Sequence, residues 1–213
     1  MGVGHILLGF LACAIACLTM GLAAIRVCRI ALTKLESICL GYAVGAALVS
    51  TLTLVIGSLW IARKGVFLGL GAIAVIACWR LLPWLRSLKP ARLDSVPIFF
   101  RWLFLAAYVL YGALYFRHAL APEISPDGGT YHLGFVNLWN HAHGLPRIVD
   151  MYAALPQGME MLYLFAFSIG RHSAAALTHF CFLMLLPVLM LLYGVRFGFP
   201  RGGAAVAAVI VFA

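Results

Sequence analysis

Acidic side chains are nearly missing from this chain: Asp and Glu total 6 in 213 residues, and only 10% of positions carry a charge. A soluble domain carries about 25% charged residues, so too few polar groups are present here to coat a water-facing surface. Disorder is excluded by the same scarcity, because a disordered chain combines low hydrophobicity with high charge. No Cys-x-x-Cys pair occurs among Cys13, Cys17, Cys28, Cys39, Cys78 and Cys181, and most of these lie inside apolar runs. They read as small buried hydrophobes rather than a zinc or disulfide framework. Lys and Arg are absent from Met1 to His5, so the first apolar run lacks the basic start of a secretory signal and reads as a retained span. Neither an internal repeat nor a low-complexity tract is found.

What the chain has in excess is apolar surface, 65% hydrophobic residues with a mean hydropathy of +1.06. A spanning helix uses about 20 residues, so the expected fold is an all-α polytopic membrane protein of about six transmembrane helices plus a truncated last one. The apolar runs are Ile6 to Ile25, Ile38 to Ala62 with a Gly41-x-x-x-Gly45 pair, Gly65 to about Leu82, Ile98 to Phe116, Met151 to Gly170, Ser173 to Val195 with Pro187 inside, and a short Gly203 to Ala213. The glycines at 41 and 45, and Gly65, Gly69 and Gly71 at the start of the third run, either allow helices to approach closely or reflect how common glycine is in spans. Residues 1–97 thus hold about three helices and a basic loop, and residues 98–213 a second part whose last helix is cut short, as in a fragment.

The 15 Lys and Arg give a net charge of +9. They lie between apolar runs, which points to membrane orientation and away from nucleic acid; an anionic lipid is a compatible partner. If the loop at 80–97 is cytoplasmic, strict alternation puts nine basic residues inside and six outside. The N-terminus and the segment 117–150 then face outward.

Segment 117–150 differs from the rest. It holds Glu123, Asp127 and Asp150, and four of the seven histidines, His118, His132, His141 and His143. Pro122, Pro126, Pro146 and the Gly128–Gly129 pair interrupt any span, while Tyr131, Leu133, Phe135, Val136, Leu138 and Trp139 recur with the spacing of an amphipathic helix on a membrane surface. Polar loops on rigid scaffolds carry sites. Within Ser125-Pro126-Asp127-Gly128-Gly129, Asp127 reads either as a turn or helix-cap residue or as a catalytic carboxylate. His141 and His143, two apart, do not share a helix face and read as surface residues.

Pro126-Asp127, Tyr131-His132-Leu133, Leu138-Trp139, His143-Gly144, Met151, and Leu155-Pro156-Gln157-Gly158-Met159-Glu160 before a span together resemble the GT-C glycosyltransferases, the bacterial relatives of protein O-mannosyltransferases and aminoarabinose transferases. The resemblance covers residues 98–213. It implies a core that starts there, an external loop at 117–150 with an acid soon after the span, and transfer of a sugar from a polyprenyl-phosphate donor to a hydroxyl at the outer face of the membrane. Asp127, matched by position, is then the base that takes the acceptor's proton. Gly128 stands where better-known members have a second acid, so no two-carboxylate metal site is carried over and no cofactor is expected. A leaving lipid phosphate needs cations, for which Arg117 and Arg147 are the outer-face candidates, with interfacial anchoring as their other role. His132 reads as orienting Asp127 or touching the acceptor, or as an interfacial residue. Glu160 reads as a cavity carboxylate or one reaching the interface, and Gln157 as lining the site or satisfying backbone freed by Pro156. The competing readings are a transporter or channel subunit and a non-catalytic assembly subunit. Oligomeric state has no signature in the sequence.

Overall fold

A computed structural model describes residues 2–212 except Arg92, Ser95 and Arg201, with the side chain of Ala154 also outside the description. Seven α-helices follow in order among the described residues: α1 Val3–Val27, α2 Lys34–Ser58, α3 Lys64–Ser87, α4 Ile98–Leu120, α5 Leu133–Ala142, α6 Gly158–Arg196 and α7 Gly203–Ile210. Helix accounts for 79% of the chain, with no strand among the described residues. Among the described residues five helices, α1 to α4 and α6, are long and apolar enough to cross a membrane. The protein is accordingly a multi-pass membrane protein by length and composition.

α1 and α2 pack antiparallel around small residues. A Cβ on Gly45 would collide with the carbonyl of Cys17, and one on Gly21 with the carbonyl of Gly41. The Gly41-x-x-x-Gly45 spacing therefore does bring two backbones together. Gly65 and Gly69 face open space, while Gly71 packs on α1, where a Cβ would lie 2.9 Å from that of Ala12.

α6 departs most from the sequence reading. The division expected between Gly170 and Ser173 is present, at Arg171, whose φ of 61° and ψ of −158° lie outside the helical region, but the first of the two helices starts only at Gly158. Met151–Ala154 is a turn of 3₁₀-helix. Tyr163 and His179, equally distant from Arg171, touch at 2.5 Å, so the two arms of α6 fold back on each other. The first arm, 158–170, is about 20 Å long at 1.5 Å per residue, too short to cross a 30 Å hydrocarbon core. It is wedged beside α1, with Cys13 Sγ on the carbonyl of Leu162 at 3.8 Å and a virtual Cβ on Gly170 only 2.6 Å from the carbonyl of His5. Glu160 through Gly170 are all buried.

This fold-back exchanges two basic residues between the ends of the molecule. At one end the Lys34 N–H donates to the Lys89 carbonyl and Arg196 forks onto Glu36 at 2.7 and 2.8 Å. At the other, the Ala62 N–H donates to the His143 carbonyl and Gly170 meets His5. Arg196 thus joins Lys34 and Lys89, and Arg171 joins Arg63 and Lys64, the reverse of what strict alternation gives. Among the described residues Arg26, Arg29, Lys34, Arg80, Arg86, Lys89, Arg101 and Arg196 lie at or toward the first end, and Arg63, Lys64, Arg117, Arg147 and Arg171 toward the second.

Candidate functional site

The segment between α4 and α5 is organised by Ser125. Its hydroxyl accepts the Gly128 N–H at 3.0 Å and its carbonyl the Gly129 N–H at 3.0 Å, while Pro126 occupies the first helical position. Serine as cap with proline next is a favoured helix start. Glu123 fixes the cap in turn, accepting the Ser125 N–H at 2.8 Å and its hydroxyl at 2.5 Å. These bonds hold the Glu123 carboxyl below its ordinary range, the Ser125 hydroxyl contributing most. Asp127, in helical conformation, makes no capping bond. Its capping role in the sequence reading thus passes to Ser125, leaving the Asp127 carboxylate uncommitted.

Gly128–His132 then forms a π-helical turn, a wide turn that recurs at functional sites. It ends on His132, whose Nδ1 lies 2.5 Å from Glu160 Oε1 in the first turn of α6. Tyr131 stacks on Tyr152 with ring centroids 4.3 Å apart, tying this turn to Met151–Ala154. α5 follows with its apolar pattern intact, but Phe135, Val136 and Trp139 are buried and the helix packs along α6. It starts beside Glu160 and ends where His143, at φ 55°, terminates it next to Ala62.

A cavity of about 890 Å³ opens between the end of α4, this turn and the two arms of α6. Glu123, Asp127, His132 and Glu160 line it together with Tyr163 and the histidines His118, His172 and His179. Glu160 is only 5% exposed. The pair it forms with His132 is deep: Cys13, against Leu162, lies ten residues into α1, and Ser50, which donates to the Gly158 carbonyl at 2.8 Å, eight residues from the end of α2. At 1.5 Å per residue these are about 15 and 12 Å from the helix ends.

Of the residues singled out in the sequence, Asp127, His132 and Glu160 converge on the cavity. Arg117 and Arg147 are exposed and off its wall. Gln157 also stands off the wall; its Nε2 donates to the Tyr152 carbonyl at 2.8 Å, the backbone-satisfying role. His141 and His143 are exposed as expected. His172, His179 and Tyr163 went unnoticed. Their signal was there, since Glu160 and Tyr163 at i, i+3, and His172, Ala176, His179 and Leu183 at alternating four and three, each mark one helix face. Among the described residues, no three His, Cys, Asp or Glu come together in a way that would hold a metal ion.

Comparison of the chain with protein-family models, with curated proteins and with solved structures finds no match.

Proposed function

We propose that this is a membrane glycosyltransferase that moves a sugar from a polyprenyl-phosphate donor to an acceptor hydroxyl at the outer face of a bacterial cytoplasmic membrane. The observation that carries the reading is the convergence of Asp127 with the Glu160–His132 pair on one cavity whose remaining walls are largely apolar. Such a cavity suits an amphiphilic substrate meeting acid–base groups. In the reaction the acceptor oxygen bonds to the anomeric carbon, the bond from that carbon to the phosphate oxygen breaks, and the lipid phosphate leaves with the electron pair. Asp127, uncommitted to any cap, takes the acceptor's proton.

A positioned general base contributes typically 10²–10⁴-fold in rate. Asp127→Asn, in protein reconstituted with radiolabelled polyprenyl-phosphate sugars, is expected to lose at least about two orders of magnitude in transfer. Its melting temperature should stay at the wild-type value, because Asp127 caps nothing. An Asn variant that keeps most of the transfer removes Asp127 from the chemistry.

The depth of the Glu160–His132 pair favours a second reading, a transporter subunit with an ionisable site near mid-span. The same reconstitution separates the two: wild-type protein that transfers no sugar from any labelled donor favours transport.

A further inference from the structure

The cavity wall is rich in hydrogen-bond acceptors and poor in fixed positive charge. Its described lining holds three carboxylates, Glu123, Asp127 and Glu160, and neither Lys nor Arg. A phosphate placed among them meets repulsion from each, in a site where apolar walls weaken screening. Histidines are the remaining candidates for a cation, and two are already bonded through Nδ1, His132 to Glu160 and His179 to Tyr163. With Glu160 ionised and the His132 ring neutral, Nδ1 carries the hydrogen toward the carboxylate. The lone pair of the neutral ring is then on Nε2. The His132 side chain is 41% exposed and lines the cavity. Asp127 offers a second acceptor that makes no capping bond of its own. Two acceptors on one wall, one of them locked into its tautomer from behind, call for a ligand that brings several neutral donors.

We propose that the polar end of this cavity binds an uncharged polyol ring, a sugar, whose hydroxyls donate to His132 Nε2 and to the Asp127 carboxylate, and that phosphate is kept out of it. Glu160 is the positioning residue, holding His132 in the accepting tautomer. The site rests on the glycosyl-transfer reading only for calling the polyol a sugar. It moves the donor's phosphate away from Glu160, toward the rim or a neighbouring surface, and removes the need for Arg117 or Arg147 to reach in.

Diethyl pyrocarbonate, which acylates an unprotonated imidazole nitrogen, reads the site without any turnover. The full chain in detergent is labelled and each histidine quantified by peptide mass spectrometry, with exposed His141 as the internal reference. A methyl glycoside or a polyprenyl-phosphate sugar is expected to slow labelling of His132 at least several-fold and to leave His141 unchanged. Protection by the methyl glycoside marks the acceptor's ring as occupant; protection by the lipid-linked sugar alone marks the donor's. Inorganic phosphate and sugar-free polyprenyl phosphate are expected to give no protection. Glu160→Gln can donate to Nδ1 and so releases the tautomer; labelling of His132 should fall while the melting temperature is retained. Asp127→Asn should weaken protection by sugar without changing the unprotected rate. Equal protection by either sugar-free phosphate, or none by any sugar, overturns the proposal. Sugar protection in a protein that transfers nothing would keep this site and remove the transferase reading. Transfer with phosphate protecting His132 would do the opposite.

Discussion

Glu123 and Ser125 show how much a short polar segment can depend on one carboxylate. The Ser125 hydroxyl and N–H both donate to Glu123, and the same hydroxyl receives the Gly128 N–H. Because the folded carboxyl is held below its ordinary value, the bonds stabilise the segment above the unfolded pKa of about 4.3. They are lost as pH falls through the lower folded value. The protection factors of the Gly128 and Gly129 amides, exchange rates relative to the free chain at the same pH, should therefore stay high at neutral pH and fall only below the usual carboxylate range. In Glu123→Gln they should be low throughout, and a wild-type profile unchanged down to pH 2 would show that the carboxylate holds nothing. The Ser-Pro start was legible in the sequence as cap followed by first helical residue, yet the neighbouring Pro-Asp-Gly-Gly turn pattern drew attention to Asp127 instead. Thr33 and Glu36 are a similar case. The Thr-x-x-Glu spacing of a capping box is realised, with Glu36 accepting the Thr33 N–H at 2.7 Å, but the second partner of that carboxylate, Arg196, is 160 residues away and beyond any local pattern.

Among the elements, the α1–α2 contact is the one the sequence announces most directly. Inserting a side chain at Gly45 forces the backbones apart at Cys17, and overpacking of this kind costs about 1–3 kcal/mol or more. Gly45→Leu is expected to lower the melting temperature in detergent markedly and Gly65→Leu to leave it unchanged, since Gly65 faces open space. Equal effects at both positions would mean that the glycine spacing carries no packing. Hydropathy located α1 to α4 within a few residues for the same reason: each run is long, apolar and ended by charge. It misplaced the start of α6 because Met151, Tyr152, Ala153 and Leu155 are as apolar as a span, although Pro156 and the Asp150 carboxylate, which accepts the Tyr152 N–H at 2.8 Å, shape them into a short 3₁₀ turn. The division at Arg171 was legible, since the apolar runs stop at Gly170 and resume at Ser173; its backbone was not. An arginine at φ 61° and ψ −158° occupies a region that is essentially glycine's, so the chain reverses one residue after Gly170, where composition alone would put the turn.

For the molecule as a whole, the fold-back of α6 changes which charges share an end while keeping the imbalance between ends. Lys34, Lys89 and Arg196 gather at one end and Arg63, Lys64 and Arg171 at the other. With the richer end cytoplasmic, a cysteine placed at 128 should react with a membrane-impermeant maleimide in intact cells and one at 88 should not; the opposite pattern would invert the orientation. A cysteine replacing Arg171 should then label with 128, whereas alternating spans would pair it with 88. Asp127, His132 and Glu160 were legible as candidates because polar groups are so scarce here. Their meeting point was not, since it depends on a turn without a sequence signal. The buried first arm of α6 has a last consequence, for the order of assembly. A helix enclosed by α1, α2 and α5 and too short to cross offers no lipid-facing side by which it could enter a bilayer on its own. Its place exists only after helices made more than a hundred residues earlier have found each other. Docking of this arm is a non-local step, and until it is complete His132 has no Glu160 to meet.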